Sequence, residues 1–191
     1  MTLSRISFVV FVLLGMLMTG CNSPEVLDDL GARTWKLVDQ DSTAITFPDD
    51  FKGKIIVTGY IFTNCPGVCP AITANMKKIS SQISDMKDVH FVGITFDPMR
   101  DRPSVLREYM NKFDLSERRF TFLTGDSATV YSLLDRVGIR TEMQPDTTAG
   151  GYRFNHTNQI NLIDRRGRTR TEYGGSMVPP EHVVEDINKL Q

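Results

Sequence analysis

The sequence predicts an α/β domain in which helices flank a mixed central sheet and a β-hairpin comes first. Two runs of apolar and β-branched residues, Ile55–Phe62 and Val89–Phe96, have the length and composition of strands buried on both faces. Between them, residues 70–86 carry apolar side chains spaced by three or four, the pattern of one helical face. A strand, a helix and a strand in succession form a right-handed parallel unit, so we expect the centre of the sheet to be parallel.

The remaining elements follow from the same periodicities and from turn residues. Residues 35–47 roughly alternate around a polar turn at 39–42, which predicts the N-terminal hairpin. After the parallel unit, Pro103 can start a helix that runs through Phe113, and Phe120–Leu123 is a short strand. The later predicted elements are a helix stopped by Gly138, a loop over 141–153, strands over 157–164 and 168–173, and a closing helix over 179–190. This order is that of a thioredoxin-like domain with an added N-terminal hairpin.

The first 20 residues have the parts of a bacterial secretory signal. Arg5 precedes an apolar run from Ile6 to Met18, which is too short to span a bilayer, and small residues follow before Cys21. A cysteine at the expected cleavage site predicts a lipoprotein, in which Cys21 carries a diacylglycerol and becomes the mature N-terminus. An uncleaved anchor is the alternative. In both cases we expect the domain on the extracytoplasmic, periplasmic side of a membrane.

The chain divides into three parts on this interpretation. Residues 1–20 are the lipoprotein signal peptide, and residues 21–33 are polar and acidic without an apolar face, which predicts a tether. Residues 34–191 are long enough for one domain with a sizeable core and do not require two.

Composition excludes one class of partner. The chain of 191 residues has a formal net charge of −1 and no long basic or acidic block, so the electrostatic footprint of a nucleic-acid-binding protein is missing. If Cys21 carries lipid, two of the three cysteines remain in an oxidising compartment, where stray thiols are a liability. These two are Cys65 and Cys69. We therefore expect the functional chemistry to lie there.

The cysteines lie in residues 63–70, Thr-Asn-Cys-Pro-Gly-Val-Cys-Pro, between a predicted strand and a predicted helix. Because a residue before proline is pushed out of the α region, Cys69 is predicted as the N-cap and Pro70 as the first helical residue. The partial positive charge of the helix N-terminus favours a thiolate over a thiol. Thiolates bind metals and exchange disulfides.

Three interpretations of the pair compete. A structural disulfide is one, although closing so short a loop restricts the unfolded chain little. A thioredoxin-type oxidoreductase is another, for which we would expect Cys-x-x-Cys and a proline just before the late strand. The sequence instead has Cys-x-x-x-Cys and places His156 before that strand. The third interpretation is a metal site formed by two thiolates and this imidazole.

Copper and zinc are the candidate metals. Soft thiolates select Cu(I), zinc and iron–sulfur centres, while imidazole is acceptable to copper in either oxidation state. A closed structural zinc site takes four protein ligands, and the sequence offers no fourth in an obvious motif. A three-ligand site suits a carrier that must release its metal.

Three separated motifs together resemble the Sco/SenC family. The family's strand leading to Thr-x-Cys-Pro-x-x-Cys-Pro is matched by residues 59–70, and its Asp-Pro-x-Arg-Asp-x-Pro segment by residues 97–103. Its metal-binding histidine, followed by Ser or Thr, is matched by His156 and Thr157. The resemblance covers the chain from about Trp35 to the C-terminus, with the motifs in the family's order.

The resemblance implies a copper-binding chaperone. Cys65, Cys69 and His156 would bind Cu(I) or Cu(II), and the protein would help to assemble the CuA centre of cytochrome c oxidase. Its partners would be the CuA-bearing oxidase subunit, another copper donor or thiol reductant, and the membrane through the lipid anchor. We do not expect an enzyme on this interpretation.

Other functions share the same residues. Some family members act as thiol–disulfide reductases, in which Cys65 and Cys69 would be redox-active and form a disulfide. Peroxide reduction is a third alternative. Asp97 and Asp101 are expected either to tune the site or dock a partner, or simply to cap the turn after their strand.

Overall fold

The computed structural model describes residues 23–146 and 151–191. The described strands are β1 (Asp28–Asp29), β2 (Trp35–Asp39), β3 (Ala44–Phe47), β4 (Ile55–Ile61), β5 (Val89–Thr95), β6 (Phe120–Thr124), β7 (Thr141–Pro145), β8 (Tyr152–His156), β9 (Gln159–Ile163) and β10 (Arg168–Gly174). The described α-helices are α1 (Val68–Gln82), α2 (Pro103–Lys112), α3 (Ser127–Arg136) and α4 (Pro180–Asn188).

Eight of these strands form one mixed sheet in the order β1-β10-β9-β4-β5-β6-β2-β3. The central strands β4, β5 and β6 are parallel to one another, and the pairs flanking them are antiparallel. Every residue of β4 and β5 is buried, which is why both strands are mostly apolar; the exception His90 on β5 hydrogen-bonds to Thr121. The predicted α/β class and mixed thioredoxin-like sheet are confirmed, as is the N-terminal hairpin, formed by β2 and β3.

The described residues of the segment 141–153 do not form the predicted loop. Most of them belong to a separate two-stranded ribbon of β7 and β8, in which Thr141 lies opposite His156 and Met143 opposite Phe154. Side chains along both strands are exposed or half-exposed and none is buried, so no apolar run marks the ribbon in the sequence. His156 is therefore the last residue of a strand of its own.

The N-terminal segment also differs from its prediction in the part that is described. Instead of a free tether up to residue 33, β1 pairs with β10, and Leu30 is fully buried. Ahead of β1, the Ser23 hydroxyl donates to the Lys189 carbonyl (2.9 Å), and the Arg170 side chain donates to the Pro24 carbonyl (2.8 Å). These two contacts join polar side chains to backbone carbonyls, and a pattern of apolar side chains does not reveal them.

The signal peptide over residues 1–20 and the lipid-bearing Cys21 lie outside the described residues. Of the helices that are described, none has the length and apolar character needed to cross a bilayer.

Helix α1 lies close against β4 because Gly59 has no side chain. A Cβ built on Gly59 would lie 2.5 Å from the Met76 sulfur and 2.9 Å from a methyl carbon of Ile72, both on α1. Close packing of this kind leaves no room for even one additional carbon atom. The approach fixes the height of α1 over the sheet, and with it the position of Cys69 in the first turn of the helix.

We expect Gly59→Ala to destabilise the fold by about 1–3 kcal/mol, because Ile72 and Met76 must shift to accommodate the methyl group. The matched control is Gly174→Ala at the end of β10, where nothing lies within 4 Å of the added carbon. The control should stay within about 0.5 kcal/mol of the wild type. Urea denaturation of both variants measures the difference, and equal stabilities would contradict the close approach.

Candidate metal centre

The cysteine loop joins β4 to α1 at the carboxyl edge of the parallel strands. The Cys65 N–H donates to the Phe62 carbonyl (3.3 Å), which folds the loop back toward the helix. Cys65 is half-buried, whereas Cys69 is fully buried. Both cysteines carry free thiols.

The helix begins two residues earlier than the sequence predicts. Gly67 is the N-cap, and Val68, Cys69 and Pro70 are the first three helical residues. Proline is tolerated at that position because the N–H groups of the first turn have no acceptor within the helix. Gly67 has no side chain to cap the turn, and the Cys69 N–H instead donates to the Cys65 sulfur (3.4 Å). Cys65 thus supplies the acceptor that an N-cap side chain normally provides.

His156 approaches the cysteines from the end of β8. Its Nε2 lies 3.7 Å from the Cys69 sulfur, and its Nδ1 lies 2.9 Å from the Thr157 carbonyl oxygen. A carbonyl can only accept, so Nδ1 carries the proton and Nε2 presents its lone pair to the sulfurs. A metal-binding histidine is commonly oriented by this kind of hydrogen bond from its other nitrogen. The imidazole also packs on Phe96, with ring centroids 4.6 Å apart.

The three candidate ligand atoms form one cluster. The two sulfurs and a ring nitrogen of His156 all lie within 4.8 Å of one another. Ligands about 2.0–2.3 Å from a common metal ion are separated by roughly 3.5–4.6 Å, depending on the angle at the metal. The cluster fits that requirement after at most a small movement, and its donor set is soft. In the described residues, this is the group of cysteine, histidine and acidic side chains that could hold a metal ion.

The two thiols differ sharply in acidity. A hydrogen bond from the Cys69 thiol stabilises the Cys65 thiolate and, despite partial burial, lowers the pKa of Cys65 to about 3. The same hydrogen bond, together with burial, raises the pKa of Cys69. In the metal-free protein, Cys65 is therefore the thiolate and Cys69 the proton donor.

Asp101 is fully buried and hydrogen-bonds to the first residue of the cysteine loop. Its carboxylate accepts hydrogen bonds from the Thr63 N–H (3.0 Å), the Thr63 hydroxyl (2.6 Å) and the Thr95 hydroxyl (2.6 Å). Burial raises the pKa of Asp101, and the hydrogen bonds from Thr63 and Thr95 oppose that rise. Asp101 thus ties the end of β5 to the start of the cysteine loop.

Asp97 makes contacts with the ribbon. One carboxylate oxygen pairs with the Arg100 Nε, and the other accepts from the Tyr152 hydroxyl (2.8 Å). Sequence reasoning singled out Asp97 and its motif but missed Tyr152, which lies in the segment predicted as a loop. An aromatic residue four positions before the histidine was the available signal.

A cleft of about 660 Å³ opens beside the cluster. It reaches Cys65 and His156 and has an apolar wall formed by Phe62, Pro66, Val68 and Phe154. The centre is therefore reachable from solvent, although one of its sulfurs is buried.

We expect an alkylating reagent to modify Cys65 before Cys69 in the reduced, metal-free protein. Cys65 is partly exposed and ionised, whereas Cys69 is buried and protonated. Reaction at Cys65 should also persist near pH 5, where an ordinary thiol with a pKa of about 8.5 is almost wholly protonated. Mass spectrometry of partly modified protein locates the label. Preferential labelling of Cys69 would contradict this arrangement of the two thiols.

The chain is similar to several known proteins. A protein from Rickettsia felis named "SCO2-like protein" is 30% identical over 136 residues, which cover 70% of this chain and 64% of the relative. The structure of Bradyrhizobium japonicum ScoI with copper bound superposes with a TM-score of 0.73 and 26% identity, over 83% of this chain and 98% of that one. A SCO1/SenC family lipoprotein from Bacillus anthracis superposes with a TM-score of 0.75 and 29% identity, over 88% and 98% of the two chains.

The family profile described as SCO1/SenC matches residues 26–191. The match spans the sheet, the helices, both cysteines and the histidine. The chain belongs to the SCO1/SenC family.

Proposed function

We propose that this chain is a copper carrier that holds one copper ion through Cys65, Cys69 and His156 and delivers it to the CuA centre of cytochrome c oxidase. The observation that carries the proposal is the convergence of two sulfurs and an imidazole nitrogen within 4.8 Å beside an open cleft. The copper-bound relative from Bradyrhizobium japonicum supports the choice of metal.

The donor set suits both oxidation states of copper. Two thiolates match the preference of Cu(I) for soft ligands, and the imidazole provides the nitrogen that Cu(II) favours. The Cys65 thiolate is already formed, so loading copper displaces a proton from Cys69 alone. A disulfide between the same sulfurs excludes the metal, so oxidation of the pair and copper binding are alternative states.

Three protein ligands also suit release. A closed structural zinc site is completed by a fourth side chain, and the described cluster contains three. A ligand from a partner protein can enter through the cleft and replace the protein's own ligands one at a time. We therefore favour a carrier of copper over a structural zinc site.

The location and partners belong to the same proposal. We infer that residues 1–20 are a signal peptide, that Cys21 carries lipid, and that the domain works on the extracytoplasmic side of a membrane. The Bacillus anthracis relative is described as a lipoprotein, which supports this assignment. The partners would be the CuA-bearing oxidase subunit and a copper donor or thiol reductant.

A thiol–disulfide reductase is the second candidate, and the asymmetry of the thiols favours it. The partly exposed thiolate of Cys65 can attack a disulfide in a substrate, and the buried Cys69 can then resolve the mixed disulfide. This reaction oxidises Cys65 and Cys69 to a disulfide and reduces the substrate's two sulfurs. It does not need His156 as a metal ligand.

We expect purified protein starting after Cys21 to bind one copper ion, and serine at Cys65 or Cys69 to abolish binding because a hydroxyl is a poor ligand for Cu(I). His156→Ala should weaken Cu(II) binding more than Cu(I) binding, since two thiolates alone can hold Cu(I). His182→Ala, at an exposed histidine of α4, is the matched control and should bind both ions normally. Competition titrations with chelators specific for each oxidation state measure the affinities. If a variant with serine at both Cys65 and Cys69 still bound one copper ion per chain, the assignment of these ligands would be wrong.

Complementation separates the carrier from the reductase. In a strain lacking this protein, the His156→Ala variant should fail to restore oxidase activity if copper delivery is the function. A reductase tolerates the loss of His156, so restoration to the wild-type level would favour that alternative. The His182→Ala variant controls for expression, and immunoblotting should show equal amounts of each protein.

A further inference from the structure

The strand that carries His156 is not hydrogen-bonded into the main sheet. In the described part of the chain, β7 and β8 form a ladder only with each other. The His156 end of β8 is anchored by the chain that continues into β9, where the Asn158 carbonyl accepts from the Gly175 N–H (3.2 Å). The rest of β8 is held over the domain by side-chain contacts. One end of β8, at Tyr152, is held by Arg100.

Tyr152 is held by two contacts with Arg100 and by a hydrogen bond to Asp97. The Arg100 Nη1 donates to the Tyr152 carbonyl (3.0 Å), and its guanidinium carbon lies 3.7 Å from the centre of the Tyr152 ring. The Asp97 carboxylate, buried and paired with Arg100, accepts the Tyr152 hydroxyl. Only a planar cation can stack on the ring and donate in its own plane at the same time, so lysine does not reproduce the contact.

The restraint on Tyr152 reaches His156 along one face of β8. Side chains two and four residues apart on a strand point to the same side, so Tyr152, Phe154 and His156 share a face. Phe154 packs edge-on against Phe62 and Phe96, at 5.4 and 5.3 Å between ring centroids. His156 then meets Phe96 and the Cys69 sulfur.

We propose that Arg100 is a positioning residue for His156 and thereby sets the preference of the centre for Cu(II) over Cu(I). This inference rests on the proposed copper function, because its test measures copper affinity. The side chain of Arg100 itself does not contact the three proposed copper ligands. Loosening Tyr152 lets the imidazole move away from the two sulfurs. Cu(II), which relies on the imidazole, loses affinity, while Cu(I) held by the two thiolates is little changed.

The test compares Arg100→Met and Arg100→Lys with Arg102→Met. Arg102 is exposed, lies two residues away and provides the matched control for loss of an arginine. We expect Arg100→Met to weaken Cu(II) roughly tenfold to a hundredfold, the range found when residues that orient metal ligands are changed. Cu(I) affinity should stay within about threefold, so the Cu(II)/Cu(I) potential rises by about 59 mV for each tenfold loss. Arg100→Lys keeps a charge beside Asp97 and should give an intermediate loss.

A double variant shows whether Arg100 acts through the histidine. When His156→Ala is already present, adding Arg100→Met should cause no further loss of Cu(II) affinity, because the side chain being positioned is gone. The absorption band from thiolate to Cu(II) should change in Arg100→Met and remain unaltered in Arg102→Met. Far-UV circular dichroism and thermal unfolding test whether each variant is folded. If Arg100→Met does not fold, Arg100→Lys takes its place in the comparison.

The outcomes separate this proposal from the copper function. Equal losses of Cu(I) and Cu(II), wild-type Cu(II) affinity in a folded Arg100 variant, or additive losses in the double variant would each overturn the positioning role. If the wild-type protein binds no copper, the proposed function fails. Hydrogen exchange of the β8 amides in the metal-free protein then decides the role of Arg100, and unchanged exchange in the Arg100 variants would overturn it.

Discussion

The parallel pairing of β4 with β5 is the constraint on which the candidate metal centre depends. Because parallel strands end at the same edge of a sheet, the loops that follow β4 and β5 lie side by side. The first loop carries the cysteines, and the second carries Asp101, whose carboxylate reaches back to Thr63. The third ligand lies on a ribbon outside this sheet. The chain just after His156 is held by backbone hydrogen bonds, whereas Tyr152 at the other end of the strand is held by Arg100 and Asp97.

The parts of the fold that bury apolar side chains could be predicted from the sequence. The runs at Ile55–Phe62 and Val89–Phe96 are apolar because both faces of these strands are covered, and the spacing over residues 70–86 reflects one buried face of α1. The three residues of the candidate centre could also be selected, since two cysteines and a histidine have chemistry that few other positions offer. The structure brings them together; their role as copper ligands is a proposal.

The parts that the sequence did not predict are held by polar or local contacts. The ribbon of β7 and β8 lacks an apolar period, and Tyr152 stays in place through Arg100 and Asp97, a pairing that spans more than 50 residues of chain. The early start of α1 depends on a sulfur accepting a backbone hydrogen bond, which the rule for residues before proline does not consider. The segment before Thr34 joins the sheet through the backbone of β1 and buries a single apolar side chain, Leu30, so it has no apolar period that would predict the contact.

The docked N-terminal segment fixes where the chain enters the domain. Ser23 contacts the end of α4, and β1 lies beside the start of β10, at the end of the sheet where β4 begins. The cysteines lie beyond the other end of β4, seven residues away at roughly 3.3 Å each, so about 20 Å of folded protein separates the two poles. The chain before Ser23 therefore enters the domain at the opposite end of the sheet from the cysteines. The distance between that entry point and the two thiols is fixed by the length of β4.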